Sequence, residues 1–180
     1  YAPFITSTLQ QEGIRQFRMS AQNVMRTAQT LYENGYITYM RTDSVHLSNE
    51  AISASRKAIK DLYGNEFLPS SAIQYSNKVK NAQEAHEAIR PAGSKFKHPD
   101  DLKNKLDANQ LKLYTLIWKR TLASQMKNAK IQRTNLWLSN GEYIFEAKGK
   151  VVLFPGFLKV YVEATENKKE RDDNEVVLPD

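Results

Sequence analysis

The chain contains no cysteine. That excludes a disulfide framework and any zinc site built on thiolates, and it agrees with a reducing compartment. No apolar run approaches the roughly 20 residues of a membrane-spanning helix, and no signal-peptide pattern opens the sequence, so no membrane association is expected. Internal repeats and low-complexity tracts are also missing, which argues against a solenoid. Acidic residues are too few to balance the basic ones. Lys plus Arg number 26 against 20 Asp plus Glu, giving +6 and a pI near 9.4. Such an excess permits a polyanionic partner without requiring one. The 180 residues suffice for one large or two small domains with a real core. The chain begins on Tyr1 without an initiating Met and reads as a piece of something longer.

The densest polar chemistry lies in Gly35-Tyr36-Ile37-Thr38-Tyr39-Met40-Arg41-Thr42-Asp43-Ser44, where two phenols, an Arg, an Asp and three hydroxyls share ten residues. The spacing predicts a strand with Tyr36 and Thr38 on one side and Ile37 and Tyr39 on the other. Arg41 joins the Tyr39 face if the extended form continues. A phenol beside a guanidinium suits phosphoryl chemistry, because the planar fork grips phosphate oxygens and opposes charge developing at phosphorus. The same residues also suit a half-buried edge strand.

Residues 1–19 read as polar and irregular, with Ser7, Thr8, Gln10 and Gln11 able to contact phosphate or sugar, or to form a solvated helix start. Ser20 predicts an N-cap for a helix over 21–34 with Val24, Met25, Ala28 and Leu31 in the core and Gly35 as a left-handed C-cap. Ser48 predicts a second helix, closed by Gly64, whose outer Arg56, Lys57 and Lys60 form a solvated face. His46 reads as a surface loop residue. Residues 65–80 read as an exposed loop. Gln83 to Ile89 predicts a short helix ended by Arg90-Pro91, placing His86 and Arg90 on one helical face. Residues 93–106 read as a basic loop. Asp107 predicts an N-cap for a long amphipathic helix to about Met126, burying Leu111, Tyr114, Ile117, Trp118 and Leu122. Near residue 127 the period changes to two. Thr134, Leu136 and Leu138, the turn signal Asn140-Gly141, then Tyr143, Phe145 and Ala147 predict a hairpin, with a third run from Phe157 to Val162. Glu166 to Glu175 predicts a charged tail or linker. The expected class is α+β, with a helical unit over 1–126, a small antiparallel unit over 127–165 and a tail over 166–180.

Tyr36 to Ser44 closely resembles the active-site motif of type IA DNA topoisomerases. Pro3-Phe-Ile-Thr-Ser-Thr-Leu-Gln-Gln11 resembles that family's opening motif, and Glu84-Ala-His-Glu-Ala-Ile-Arg-Pro91 its histidine motif, in matching order and spacing. The last is similar to the form found in the bacterial topoisomerase I branch. Ala92 departs from the pattern, which often has Thr or Ser there. The resemblance implies a winged-helix-like domain carrying the catalytic tyrosine, followed by part of a β-rich arch. It implies Tyr39 as nucleophile and Arg41 as the phosphate-holding cation. Asp43 and His86 would support them as an interacting pair, and Arg41, Thr42, His86 and Arg90 would contact DNA. Glu87 and Arg90 equally suit a local ion pair. Tyr36 is the competing nucleophile.

The implied reaction is ATP-independent relaxation of negatively supercoiled DNA through a 5′-phosphotyrosine intermediate. The implied partner is DNA, chiefly single-stranded, and the implied location is the bacterial cytoplasm at the nucleoid. Mg²⁺ is expected in the whole enzyme, held by an acidic cluster in a separate N-terminal domain of the same polypeptide. No metal ligands are assigned in this piece; Asp100-Asp101 and Asp172-Asp173 lack the required context. The piece is expected to be a monomer, inactive alone, and to bind no Mg²⁺ tightly. Two further readings stay open: a non-catalytic winged-helix-like DNA-binding module, and a tyrosine recombinase or type IB enzyme, which would make a 3′ link.

Overall fold

Local capping chemistry builds three of the four α-helices among the described residues. Ser20 accepts an N–H from Asn23 and starts α2 (Ala21–Glu33), and Ser48 accepts from Ala51 and starts α3 (Asn49–Tyr63). Asp107 accepts from Asn109 and Gln110 to start α4 (Ala108–Ser124). Each cap satisfies donors that the first helical turn leaves unpaired. The computed structural model describes residues 1–76, 86–161 and 175–177. Its class is α+β, as the two periodicities predict.

The helices bury Val24, Ala28 and Leu31 of α2, Ala51, Ile52 and Ile59 of α3, and most of the second half of α4 against one another. Trp118 belongs to this core, at 2% exposure. The core also takes in Phe4, Ile37, Met40 and Ile89, which flank the polar motifs. Those motifs are therefore anchored by the apolar residues between them.

The first nineteen residues differ from the sequence expectation, because α1 (Thr6–Phe17) is a regular helix. Its first turn lacks an ordinary polar N-cap. Instead the Ile5 N–H donates to the Thr8 hydroxyl at 3.1 Å, and the Thr6 N–H donates to the distant Thr42 carbonyl at 2.9 Å. Only Leu9, Glu12 and Gly13 are buried along it, too narrow a stripe to read as a period. Gly13 lets α2 approach closely, since a Cβ there would meet Val24 Cγ2 at 2.7 Å. Within α1, Arg15 pairs with Glu12 at 3.7 Å. Arg18 caps the helix in the left-handed conformation at φ 54°.

The expected loop after α3 packs more closely than its composition suggests. Arg56 donates to the carbonyls of Pro69 and Ser71, so this cation fixes a loop. The Gln125 side chain exchanges two hydrogen bonds with the backbone of Ile73, and Tyr75 donates to Ser124 O at 3.1 Å. Within the basic loop, Pro99–Leu102 forms a 3-10 turn that buries Leu102. The part of the expected loop at 77–80 lies outside the described residues.

Strands β1 (Lys130–Asn140) and β2 (Tyr143–Phe154) form the expected antiparallel hairpin, pairing Leu136 with Ala147 and Leu138 with Phe145. The loop is Gly141-Glu142, one residue later than the Asn-Gly signal, because Asn140 still pairs with Tyr143. Both faces are open. Every residue of β1 is exposed, including Trp137 at 60%, and Ile144 on β2 is 73% exposed. A three-residue strand, β3 (Glu175–Val177), pairs in parallel with β2. Of the predicted charged tail over 166–180, this strand departs from the expectation and the rest lies outside the described residues.

The expected third strand at Phe157 to Val162 does not form over 157–161, and Val162 lies outside the described residues. Gly156–Lys159 is a 3-10 turn, with Phe157 N–H donating to Lys127 O at 2.9 Å. Pro155-Gly156 turns the chain sharply, and Val160 and Tyr161 then bury in the helical core at 7% and 2% exposure. Arg120 of α4 ties this return to the N-terminus. Its guanidinium carbon lies 4.7–4.9 Å from the ring centres of Tyr1, Phe4 and Tyr161. It also donates to Ala2 O and to the Tyr161 hydroxyl.

Candidate active site

The segment after α2 leaves the helix through Asn34 and Gly35 and runs antiparallel to residues 88–91, but it forms no continuous ladder. Only isolated bridges occur, Ile37 with Pro91 and Phe4 with Ile89. The gap between them is filled by a side chain. Thr38 donates its backbone N–H to Arg90 O at 2.9 Å and its hydroxyl to Ala88 O at 2.8 Å, and the hydroxyl accepts the Arg90 N–H at 3.0 Å.

This pinning corrects the expected alternation. Ile37 is buried at 2%, whereas Tyr39, placed on the same face by a regular strand, is 36% exposed. From Tyr39 onward the chain alternates outward and inward: Tyr39, Arg41 and Asp43 are exposed, while Met40, Thr42 and Ser44 are buried. Arg41 does therefore share an outward direction with Tyr39. A second hydroxyl holds this portion from the opposite side. The Thr6 hydroxyl donates to Met40 O at 2.9 Å and Thr42 O at 3.0 Å and accepts the Thr42 N–H at 2.9 Å. Met40 to Thr42 is thus fastened to the start of α1, and the motif is held between two parts of the chain.

The histidine segment also departs from expectation. Residues 86–89 are extended rather than helical, and 83–85 lie outside the described residues. Gln, Glu and Ala favour a helix, but pairing with Thr38, Phe4 and His46 competes successfully: Ala88 N–H donates to His46 O and Ile89 N–H to Phe4 O, both at 2.8 Å. Extension turns His86 outward against Tyr39, with ring centres 5.6 Å apart at 41°. Tyr32, in the last turn of α2, meets Tyr39 edge-on at 5.2 Å.

Arg41, Asp43 and His86 line one open cleft of about 450 Å³, together with Thr42, Ile5, Thr6, Ser7 and Gln10. Ser7 and Gln10 are thus placed as the sequence allowed, while Thr8 is used in the first turn of α1. His86 and Asp43, assigned as a pair, border the same space. Thr42 lies at its floor, 7% exposed, and its hydroxyl accepts the Ser44 N–H.

Arg90 is brought elsewhere. It is 7% exposed and donates to Glu87 Oε2 at 2.6 and 3.0 Å and to the carbonyls of Pro91 and Gly93. That geometry makes Arg90 an internal strut and favours the ion-pair alternative over the DNA contact. Tyr36, the competing nucleophile, is half-buried; its ring lies edge-on to Tyr114 and beneath Lys97. His46 is exposed in a loop.

Glu87 joins its own segment to the start of α3, since its other oxygen accepts the Ser48 N–H at 2.8 Å. Burial alone pushes this carboxyl up. The Ser48 hydrogen bond and the Arg90 charge and hydrogen bonds outweigh it and hold Glu87 below the ordinary carboxylate range. A folded value below the unfolded one means a contribution fully present above about 4.5, the ordinary value, and lost as pH falls through the lowered one. Glu87→Gln should therefore lower stability by about 1–2 kcal/mol at neutral pH. The gap from the parent should close in acid, as denaturant midpoints measured across a pH series will show.

Sequence reasoning missed Thr6 and Thr38 as site-building residues, and it saw the local Arg90 pairing of Glu87 but not its bond to Ser48. The missed partners lie 34 to 52 positions away, beyond the reach of local spacing. Among the described residues no three His, Cys, Asp or Glu side chains converge as metal ligands.

Comparison with known proteins places this geometry in context. A family model described as DNA topoisomerase matches residues 1–180. The chain is 53% identical over 186 residues to DNA topoisomerase 1 of Mycolicibacterium smegmatis, covering 99% of this chain and 20% of that protein. It is 50% identical over 178 residues to DNA topoisomerase 1 of Synechocystis, with 98% and 20% covered. Among solved structures, full-length topoisomerase I from Thermotoga maritima matches with a TM-score of 0.75 at 37% identity, over 93% of this chain and 28% of that one. The chain thus spans about a fifth of the length of its curated relatives.

Proposed function

This chain belongs to the DNA topoisomerase family, and from that membership we propose that it is the tyrosine-bearing segment of a bacterial type IA enzyme that relaxes negatively supercoiled DNA without ATP. The observation that carries this reading is an exposed Tyr39 beside His86, next to a cleft lined by Arg41, Asp43 and His86.

The Tyr39 oxygen loses its proton and attacks the phosphorus of a single-stranded DNA phosphodiester. The new bond joins the phenolic oxygen to phosphorus, the bond from phosphorus to the 3′ oxygen breaks, and that oxygen takes a proton. A 5′-phosphotyrosine and a free 3′ hydroxyl result. The reverse attack after strand passage restores the DNA, so bond energy is conserved in the adduct. Arg41 holds the phosphate and opposes the charge that builds on it. His86, with Asp43 in the same cleft, orients the approaching backbone.

The donors of this cleft do not suit Mg²⁺. Among the described residues its single carboxylate, Asp43, shares the space with Arg41 and His86. We assign Mg²⁺ to acidic residues elsewhere in the parent polypeptide and route no step through it here. On this reading the segment alone neither relaxes DNA nor binds Mg²⁺ tightly. The parent acts in the bacterial cytoplasm at the nucleoid.

The test is to trap the covalent adduct of the full-length parent on single-stranded DNA and identify the modified residue by mass spectrometry. Tyr39 linked to a 5′ phosphate is expected. Attachment to a 3′ phosphate or to another residue overturns the proposal, and absence of any adduct favours a pure DNA-binding module. In the same assay Arg41→Ala should slow single-turnover cleavage by about 10²–10³-fold. Arg41→Lys should recover only part of the rate, because a point charge lacks the planar fork.

A further inference from the structure

Tyr32 ends the apolar stripe of α2 but does not share its burial. Ala28 and Leu31 are 0% and 1% exposed, whereas Tyr32 is 42% exposed. Its edge-on contact with Tyr39, at 5.2 Å and 66°, leaves much of a flat aromatic surface open beside the proposed nucleophile. The backbone beneath it is fixed, since Tyr32 O accepts the Gly35 N–H at 2.9 Å and Leu31 O accepts the Tyr36 N–H at 2.8 Å. Carried on this fixed backbone and outside the buried core, the aromatic keeps much of its surface in solvent. Its remaining surface suits another π system.

We propose that Tyr32 stacks an unpaired nucleobase adjoining the phosphodiester that Tyr39 attacks, an inference that rests on the function proposed above. A strand with its phosphate at the Tyr39 oxygen carries its flanking bases past the adjacent ring. Stacking on an aromatic face is tolerant of sequence, because every base offers one. It also orders the nucleotide on one side of the reacting phosphate, where Arg41 alone would fix the phosphate and leave the base free.

The experiment uses the full-length parent carrying Tyr39→Phe, which keeps the ring and blocks cleavage. A single-stranded oligonucleotide carries 2-aminopurine, moved one nucleotide at a time past the binding site. Quenching by stacking is expected in one register near the scissile position. Tyr32→Leu, which still packs against the neighbouring ring but offers no π face, should abolish that quenching and weaken binding about 5- to 150-fold. Tyr32→Trp should retain both. An abasic nucleotide in the same register should bring the Tyr32→Leu variant and its Tyr32 parent to equal affinity.

Quenching unchanged by Tyr32→Leu in every register overturns the inference, as does weaker binding with no register-specific quenching, which would mark a packing role only. The adduct formed with Tyr39 intact is scored separately. An adduct at Tyr39 together with a failed stacking signal sinks the inference alone. An adduct elsewhere sinks the proposed function, and the quenching then decides the stacking by itself.

Discussion

Tyr39→Phe in the full-length parent should lower adduct formation on single-stranded DNA by at least about 10⁴-fold, because removing a nucleophile leaves only binding and charge stabilisation. Tyr36→Phe should leave adduct formation largely intact. The two phenols are three residues apart in one motif, and their surroundings separate them. Tyr36 is half-buried under Lys97 at 5.1 Å and against Tyr114, whose own phenol is pushed up by burial and donates to Lys97 O. Tyr39 stands 36% exposed beside His86. Denaturing-gel analysis of end-labelled DNA, with each variant beside the parent, measures both outcomes. Loss of the adduct in Tyr36→Phe with retention in Tyr39→Phe would reverse the assignment.

The largest stability effect is expected at Gly156. Its φ is +51°, and a Cβ there would lie 2.5 Å from Lys127 O and Asn128 C and 2.6 Å from Ala129 N. All three are backbone atoms, which cannot rotate aside as a flexible side chain can. Gly156→Ala should therefore cost about 3–5 kcal/mol, combining left-handed strain with forced displacement of the chain. Gly141→Ala in the hairpin loop is the control. It has a similar φ of +61° and nothing within 4 Å of the added carbon. Strain alone predicts about 1–2 kcal/mol there. Denaturant titrations followed by tryptophan emission will compare them, since Trp118 lies in the core at 2% exposure. Equal losses at the two positions would show that the close contact at Gly156 carries no penalty.

The parts of this fold legible in the sequence are those encoded by neighbours. Ser20, Ser48 and Asp107 announce their helices because a cap acts within three residues. The hairpin is legible for the same reason. Tyr39, Arg41 and His86 were legible as a family motif, and Asp43 with them, but not the way they are held together. Distant partners decided the rest. The start of α1 is completed by Thr42, the histidine segment is extended by Thr38 and Phe4, and Gly156 turns where Lys127 to Ala129 receives it. Arg90 carries the family motif, yet Glu87 and two carbonyls take four of its five donors.

The two hydroxyl fastenings of the tyrosine segment have a consequence for biosynthesis. Thr6 meets its partners across 34 and 36 positions, and Thr38 meets Ala88 and Arg90 across 50 and 52. At about 5–20 residues per second, a ribosome that has just made Thr38 needs roughly 3 to 10 s more to produce the residues that pin it. During that interval the tyrosine segment exists on nascent polypeptide without the Thr38 fastening, so its native geometry arrives with translation of the histidine motif rather than of the tyrosine itself.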